Sequence, residues 1–317
     1  MKKYALLFGL NYAHCSSGEL RGCINDVRLM TQFLQDELGF SVQAYTDDTA
    51  RADTSKAGIL KHLKAAATQS VRDDLDVVWI HFSGHGTSME DATGDEDDGQ
   101  DECLVPSDYE TAGFIMDDDI NRLFASFNPK TRVICVFDCC HSGTMADLKY
   151  GFDENRVASV ENTKCKIPAK ILTLSGCKDE QTSADAYGVA GQAQFTGAMT
   201  ACLLEILKDT KTREDVFVMM QKLHEQLKSR RFSQRPLVGA TYDLRDDPAW
   251  LKFESAAPRP APAPAPTPTP TSTPVQDPSP YHTPTTKPIP TTDPEFDDLA
   301  SPKWKDNSEY RTNCCFQ

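Results

Sequence analysis

Short apolar runs alternate with longer amphipathic stretches over the first 255 residues. Residues 4–10, 42–45, 77–82, 133–137 and 171–174 form the runs, most of them nearly continuously apolar. Runs of that length predict strands buried on both faces of a parallel sheet. Residues 26–38, 55–67, 118–127, 197–208 and 213–230 carry apolar side chains at helical spacing and predict amphipathic helices. Gly39 follows the first of these as a C-cap. Strand–helix alternation predicts an α/β domain with a mostly parallel central β-sheet flanked by helices. In such sheets ligands sit beyond the carboxyl ends of the strands, so chemistry is sought just after each strand.

The pattern stops near Ala257. Fifteen of the 20 prolines lie from Pro258 onward, and residues 260–270 alternate proline with alanine or threonine. Proline lacks an N–H and fixes φ, so this segment cannot build helix or sheet. Residues 1–255 are therefore expected to form the globular domain, and residues 256–317 a Pro-rich disordered tail.

Charge narrows the function classes. Asp plus Glu number 47 and Lys plus Arg 33, a net charge of −14. Phosphate neutralisation needs clustered cations, so nucleic acid is not an expected partner. No apolar run approaches the ~20 residues needed to span a bilayer. The opening Met1-Lys2-Lys3 and its seven-residue apolar run resemble a signal peptide only superficially, and a buried first strand is the better reading. Eleven cysteines, an odd number with several inside apolar runs, argue against a disulfide scaffold. They point to a reducing, cytoplasmic setting with one or two reactive thiols.

Two strand ends carry the chemistry. Ser83-Gly84-His85-Gly86 follows the third predicted strand, and Asp138-Cys139-Cys140-His141-Ser142-Gly143 follows the fourth. A histidine or a cysteine alone is usually structural. Together, at matching ends of two buried strands, they offer a thiol to attack and an imidazole to move a proton. Glycines beside His85 leave room for a substrate backbone and an amide for an oxyanion. Adjacent Cys139, Cys140 and His141 do not match zinc-ligand spacing.

These residues resemble the dyad of the metacaspases, caspase-like cysteine peptidases of family C14. The resemblance spans roughly residues 4–245. It includes Gly22-Cys23-Ile24-Asn25-Asp26, Asp101-Glu102-Cys103-Leu104-Val105-Pro106, Asp117-Asp118-Asp119-Ile120 and the stretch from Ser175 to Asp185. It implies a caspase-like fold, with residues 1–150 large-subunit-like and residues 168–255 small-subunit-like. Cys140 is then the nucleophile, His85 the acid–base group, and the amides of Gly86 and Cys140 the oxyanion donors. The short connector after Cys140 is similar to the type I core. The Pro-rich stretch is C-terminal here, where type I members carry one at the N-terminus.

The resemblance also implies a substrate class. Asp26, Ser83 and Asp138 are expected to form an S1 pocket for Arg or Lys at P1, the residue whose carbonyl is cut. The plainer reading makes the two acids caps of turns or helices. From Glu90 to Asp119 there are thirteen acidic residues, with no Lys or Arg from Asp73 to Asn121. Most such runs are solvated surface, and the spacing fails the EF-hand pattern. So many carboxylates nonetheless repel one another unless a hard cation neutralises them. The resemblance implies Ca2+, bound weakly by Asp101, Asp117, Asp118 and Asp147, with Asp147 seven residues beyond Cys140.

Lys149, Arg156, Lys164 and Lys166 are candidate self-cleavage sites, and the family implies a monomer acting on protein or peptide substrates. The final Cys314-Cys315-Phe316-Gln317 reads as a prenylation signal on Cys314. A single prenyl chain gives weak membrane association. The alternatives are a catalytically dead caspase-like scaffold and another Arg-specific protease of the same clan. Intact His85 and Cys140 argue against the first. The Asp179–Asp185 motif and the acidic set argue against the second.

Overall fold

The five apolar runs form the parallel half of one sheet. The computed structural model describes residues 1–15, 18–90, 100–139, 145–176, 185–187 and 195–251. The chain divides into two units; Met1–Arg259 holds every described element, and Pro260–Arg311 lies outside the described residues. The Pro-rich tail expected at residues 256–317, with Cys314, therefore lies outside them.

In chain order the first elements are β1 (Lys3–Gly9), α1 (Cys23–Asp36), β2 (Ser41–Thr46), α2 (Lys56–Arg72) and β3 (Val77–Ser83). Then come β4 (Gly86–Glu90), β5 (Gln100–Leu104), α3 (Tyr109–Ala112), β6 (Ile115–Met116), α4 (Asp117–Phe124) and β7 (Arg132–Asp138). The remainder are β8 (Tyr150–Phe152), β9 (Ala158–Val160), β10 (Lys170–Ser175), β11 (Asp185–Tyr187), β12 (Phe195–Gly197), α5 (Ala198–Ile206), α6 (Thr210–Glu214), α7 (Val216–Ser229) and β13 (Leu237–Ala240).

The main sheet has the order β2-β1-β3-β7-β10-β13-β8-β9. β2 through β10 run parallel, and β13, β8 and β9 close that side antiparallel. Every residue of β3 is buried. Trp79 packs with α1, α5 and α7 on one face, while Val78, Ile80 and Phe82 pack with α2 and α4 on the other. That two-sided burial is why these strands lack polar alternation. β2 differs: as an edge strand it is largely exposed, so its apolar run is the weakest of the five.

Local chemistry sets the helix ends. Ser55 Oγ accepts from the Gly58 amide and starts α2. Gly39 adopts φ 68, and the amides of Gly39 and Phe40 return to the carbonyls of Gln35 and Leu34 at the end of α1. The single helix expected over residues 213–230 is two. Asp215 is extended, and its carboxylate accepts the amides of Phe217 and Val218 at 2.8 and 3.3 Å. That cap restarts the helix where periodicity alone read through it.

β3 also holds a buried histidine. His81 lies between Leu7 and Val136 in register, is fully buried, and neither ring nitrogen has a hydrogen-bond partner among the described residues. Burial pulls its pKa from an ordinary 6.5 down to about 3. The folded state thus keeps it neutral where the unfolded chain protonates it. The stability tied to that neutral ring is full above pH 6.5 and falls as pH drops towards 3. The slope is up to about 1.4 kcal/mol per pH unit. Replacing His81 by Leu is expected to flatten the acid limb of a urea-melt stability profile over this window; an unchanged limb would refute the assignment.

Candidate active site

β3 and β7 pair in parallel with Ser83 level with Asp138. His85 and Cys140 each stand two positions beyond that pair in the chain. The Gly84 amide donates to the Asp138 carbonyl at 3.3 Å, so the two strand ends stay joined past the sheet. Cys140 itself lies outside the described residues. Cys139, its neighbour, is buried.

His85 is held from three sides. Its Nε2 lies 2.6 Å from the Gly18 carbonyl oxygen. A carbonyl oxygen only accepts, so this bond assigns the proton of the neutral ring to Nε2 and leaves Nδ1 as the basic nitrogen. Its backbone amide donates to the Tyr12 hydroxyl at 2.9 Å, and the two rings lie 4.8 Å apart. Its carbonyl accepts the Val105 amide at 3.1 Å. Gly86 follows at once as the first residue of β4, opposite Leu104 of β5.

Tyr12 and Gly18 carry no signal in the sequence. Tyr12 sits at φ 56, in the left-handed region, and Asp47 holds it there by accepting the amides of Asn11 and Tyr12 at 3.0 and 2.7 Å. Its hydroxyl donates to the Val105 carbonyl at 2.7 Å. Burial pushes the phenol pKa well up, so the group stays a neutral donor. A tyrosine at a strand end reads as ordinary core until the tertiary structure shows what its hydroxyl bridges.

Asp26, Ser83 and Asp138 come together on the same edge, all buried. Ser83 Oγ donates to Asp26 Oδ2 at 2.7 Å. The Gly197 amide donates to both Asp26 oxygens at 2.9 Å, and the Thr200 amide donates to Asp138 Oδ2 at 2.9 Å. The chain's two halves therefore meet at these carboxylates.

The acidic residues sort differently from the expected set of Asp101, Asp117, Asp118 and Asp147. Glu102, Asp117 and Asp147 are buried and bring carboxylate oxygens within 4.8 Å of one another. Asp101 is buried next to them and its charge acts on Asp117, but it is not in that trio. Asp118 is half-exposed, 3.9 Å from Arg122, and is not in the trio either. Burial pushes the Asp117 carboxyl up to about 6, and Asp101 adds to the rise. Three close, buried, oxygen-only donors fit a hard cation. Glu102 was missed because strand alternation, which decides which of Asp101 and Glu102 meets Asp117, is not legible in an unbroken acidic run.

Of the candidate cleavage sites, Arg156, Lys164 and Lys166 are exposed. Lys149 is half-buried with its ammonium 4.9 Å from the Tyr150 ring centre. Arg156 pairs with Asp215 at 3.0 Å and stacks on Phe217. Cys15, Cys23, Cys103, Cys135, Cys139, Cys165 and Cys202 are not disulfide-bonded. Burial pushes the thiols of Cys15, Cys103, Cys135 and Cys202 up, which makes them poor nucleophiles.

Among solved structures, a Geobacter sulfurreducens protein matches with a TM-score of 0.53 at 24% identity, over 76% of this chain and 93% of its own. Caspase-1 from Spodoptera frugiperda matches with a TM-score of 0.50 at 13% identity, over 76% and 86%. The fold is thus caspase-like. The family model "Metacaspase, peptidase C14 domain" matches residues 3–149. Metacaspase-1 of Kluyveromyces lactis is 30% identical over 298 residues, covering 77% of this chain and 67% of its own length. Metacaspase-1 of Ajellomyces capsulatus is 30% identical over 300 residues, covering 78% and 82%. This chain belongs to the metacaspase family and is a cysteine-type peptidase.

Tyr12→Phe leaves the Val105 carbonyl and the His85 amide without the hydroxyl between them. A stability loss of about 1–3 kcal/mol is expected in a denaturant melt, together with a lower kcat on a peptide substrate. Wild-type values for both would remove Tyr12 from the site.

Proposed function

We propose that this protein is a calcium-stimulated endopeptidase that cleaves after Arg or Lys through a Cys140–His85 dyad. The observation that carries the substrate class is the convergence of Asp26 and Asp138 beside the strand ends that bear the dyad. A P1 guanidinium or ammonium entering there gains charge-assisted hydrogen bonds, and a P1 carboxylate meets like charge.

In the reaction, Cys140 Sγ gives its proton to His85 and attacks the scissile carbonyl carbon, forming a C–S bond. Amides of Gly86 and Cys140 take the charge that develops on oxygen. His85 protonates the leaving amine as the C–N bond breaks, and water then hydrolyses the thioester. The Gly18 carbonyl fixes the ring so that Nδ1 is the nitrogen that moves the proton.

Glu102, Asp117 and Asp147 would hold Ca2+, with Asp101 and Asp118 adding charge nearby. The ion supplies neutralisation of the buried carboxylates. Ala146 and Asp147 adopt φ 79 and 47, so bracing Asp147 steadies a strained turn shortly after the nucleophile. Self-processing is assigned first to Lys164 and Lys166, which are exposed and, among the described residues, make no ion pair, whereas exposed Arg156 is paired with Asp215. The reading includes a cytoplasmic monomer, with weak membrane association if Cys314 is prenylated.

A calcium titration of peptide hydrolysis, comparing Arg, Lys and Asp at P1, tests the proposal. Expected results are cleavage after Arg and Lys only, no activity in Cys140→Ala, and none in excess chelator. Equal activity in chelator removes the calcium step. Asp138→Asn is expected to lower kcat/KM for Arg at P1 by roughly 10- to 100-fold. Glu102→Gln is expected to raise the calcium midpoint while leaving the P1 preference unchanged; a wild-type midpoint would exclude Glu102 as a ligand.

A further inference from the structure

Gly197 joins β12 to α5 with φ −62 and ψ 135, a conformation open to every residue. Nothing in its backbone calls for glycine. As the N-cap of α5 it is also a weak choice beside Ser, Thr, Asp or Asn. The reason lies in the space around it. A Cβ built there would stand 2.3 Å from Asp138 Oδ2 and 2.7 Å from Asp26 Oδ2. Both are far inside contact distance, so the two carboxylates occupy the volume that a side chain would need. Both acids are buried, which leaves little room for them to move aside.

The capping that Gly197 lacks comes from elsewhere in the chain. Asp138, 62 residues before Thr200, accepts the Thr200 amide in the first turn of α5. Asp26, 171 residues before Gly197, accepts the Gly197 amide with both oxygens. Helix amino ends leave amides unsatisfied and favour anions. The amino end of α5 thus holds two neighbouring carboxylates that would otherwise repel one another.

We propose that Gly197 is a specificity-determining residue: its missing side chain, with the first-turn amides of α5, sets the position of the two carboxylates that receive a P1 cation. This rests on the reading of Asp26 and Asp138 as the P1 acceptors. Because α5 lies in the small-subunit-like region, the pocket is completed only when that region is docked. Alanine at position 197 drives a methyl between the acids and closes the space a guanidinium would share with them.

The test uses the full chain in calcium. Wild type, Gly197→Ala and Asp138→Asn are compared for kcat and KM on Arg-P1 and Lys-P1 peptides. Alkylation is followed at Cys140 by mass spectrometry, with iodoacetamide, which needs no P1 pocket, and with an arginyl chloromethyl ketone, which does. Gly197→Ala is expected to lose roughly 10- to 100-fold in kcat/KM, mainly through KM. Its ketone labelling falls likewise, while iodoacetamide labelling keeps its wild-type rate.

Cleavage of the Arg peptide within threefold of wild type overturns the proposal. So does an equal loss of labelling by both reagents, which would mark general damage. If Gly197→Ala does not fold, hydrogen exchange decides. A Thr200 amide that is slow in wild type and faster in Asp138→Asn supports the clamp, and equal rates overturn it. The underlying reading fails separately if Asp26→Asn and Asp138→Asn both keep the wild-type preference for Arg.

Discussion

β3 and β7 pair in parallel without offset, from Val77 opposite Arg132 to Ser83 opposite Asp138. The remaining architecture of the site depends on that register. It brings two strand ends level, so residues two positions further on in each chain segment start from adjacent points. A slip of one residue between the strands would put Ser83 and Asp138 on opposite faces of the sheet, so that both could no longer meet the acid of α1 and the amides of α5. The register is well specified because both faces of β3 are buried, and a slip would send Trp79 into the wrong core.

Buried charge is the second constraint. Asp26 and Asp138 lie close together with almost no contact with water. Carboxylates in such a place are costly unless hydrogen bonds replace lost hydration. Ser83 Oγ and the amides of Gly197 and Thr200 supply those bonds. Three distant stretches, around residues 26, 138 and 197, are thereby tied into one polar knot at the end of an otherwise apolar sheet. The acids serve the fold as remote caps, and under the proposed function they serve substrate choice as well. The plain structural reading and the functional one are therefore compatible at these positions.

The acidic trio of Glu102, Asp117 and Asp147 is arranged differently. Here burial raises the Asp117 pKa to about 6, so proximity works against ionisation. Asp117 Oδ2 accepts the Glu102 amide at 2.7 Å and Oδ1 accepts the Asp118 amide at 2.8 Å, which offsets part of that cost. A cation would relieve the rest. The two acidic groups thus differ in what opposes their charge: a serine hydroxyl and backbone amides at Asp26 and Asp138, and, in the proposed function, a bound ion at the trio.

The unbroken apolar runs were enough to predict the inner strands of the parallel half, because two-sided burial leaves no polar position to disguise them, while the exposed edge strand β2 showed only a short, broken run. The order of motifs carried the family, since Ser-Gly-His-Gly and Asp-Cys-Cys-His-Ser-Gly each follow a buried strand. The short antiparallel strands β8, β9 and β13 were not legible, because three or four residues hold too few positions to show a period. Neither was the break at Asp215, where one carboxylate outweighs helical spacing. Most of all, the chain by itself determined which residue types stand at the strand ends, because apolar burial is written locally. Only the tertiary structure decided that Gly18 orients His85, that Glu102 meets Asp117, and that Gly197 sits between two acids, because those contacts join positions 15 to 171 residues apart and no local pattern encodes them.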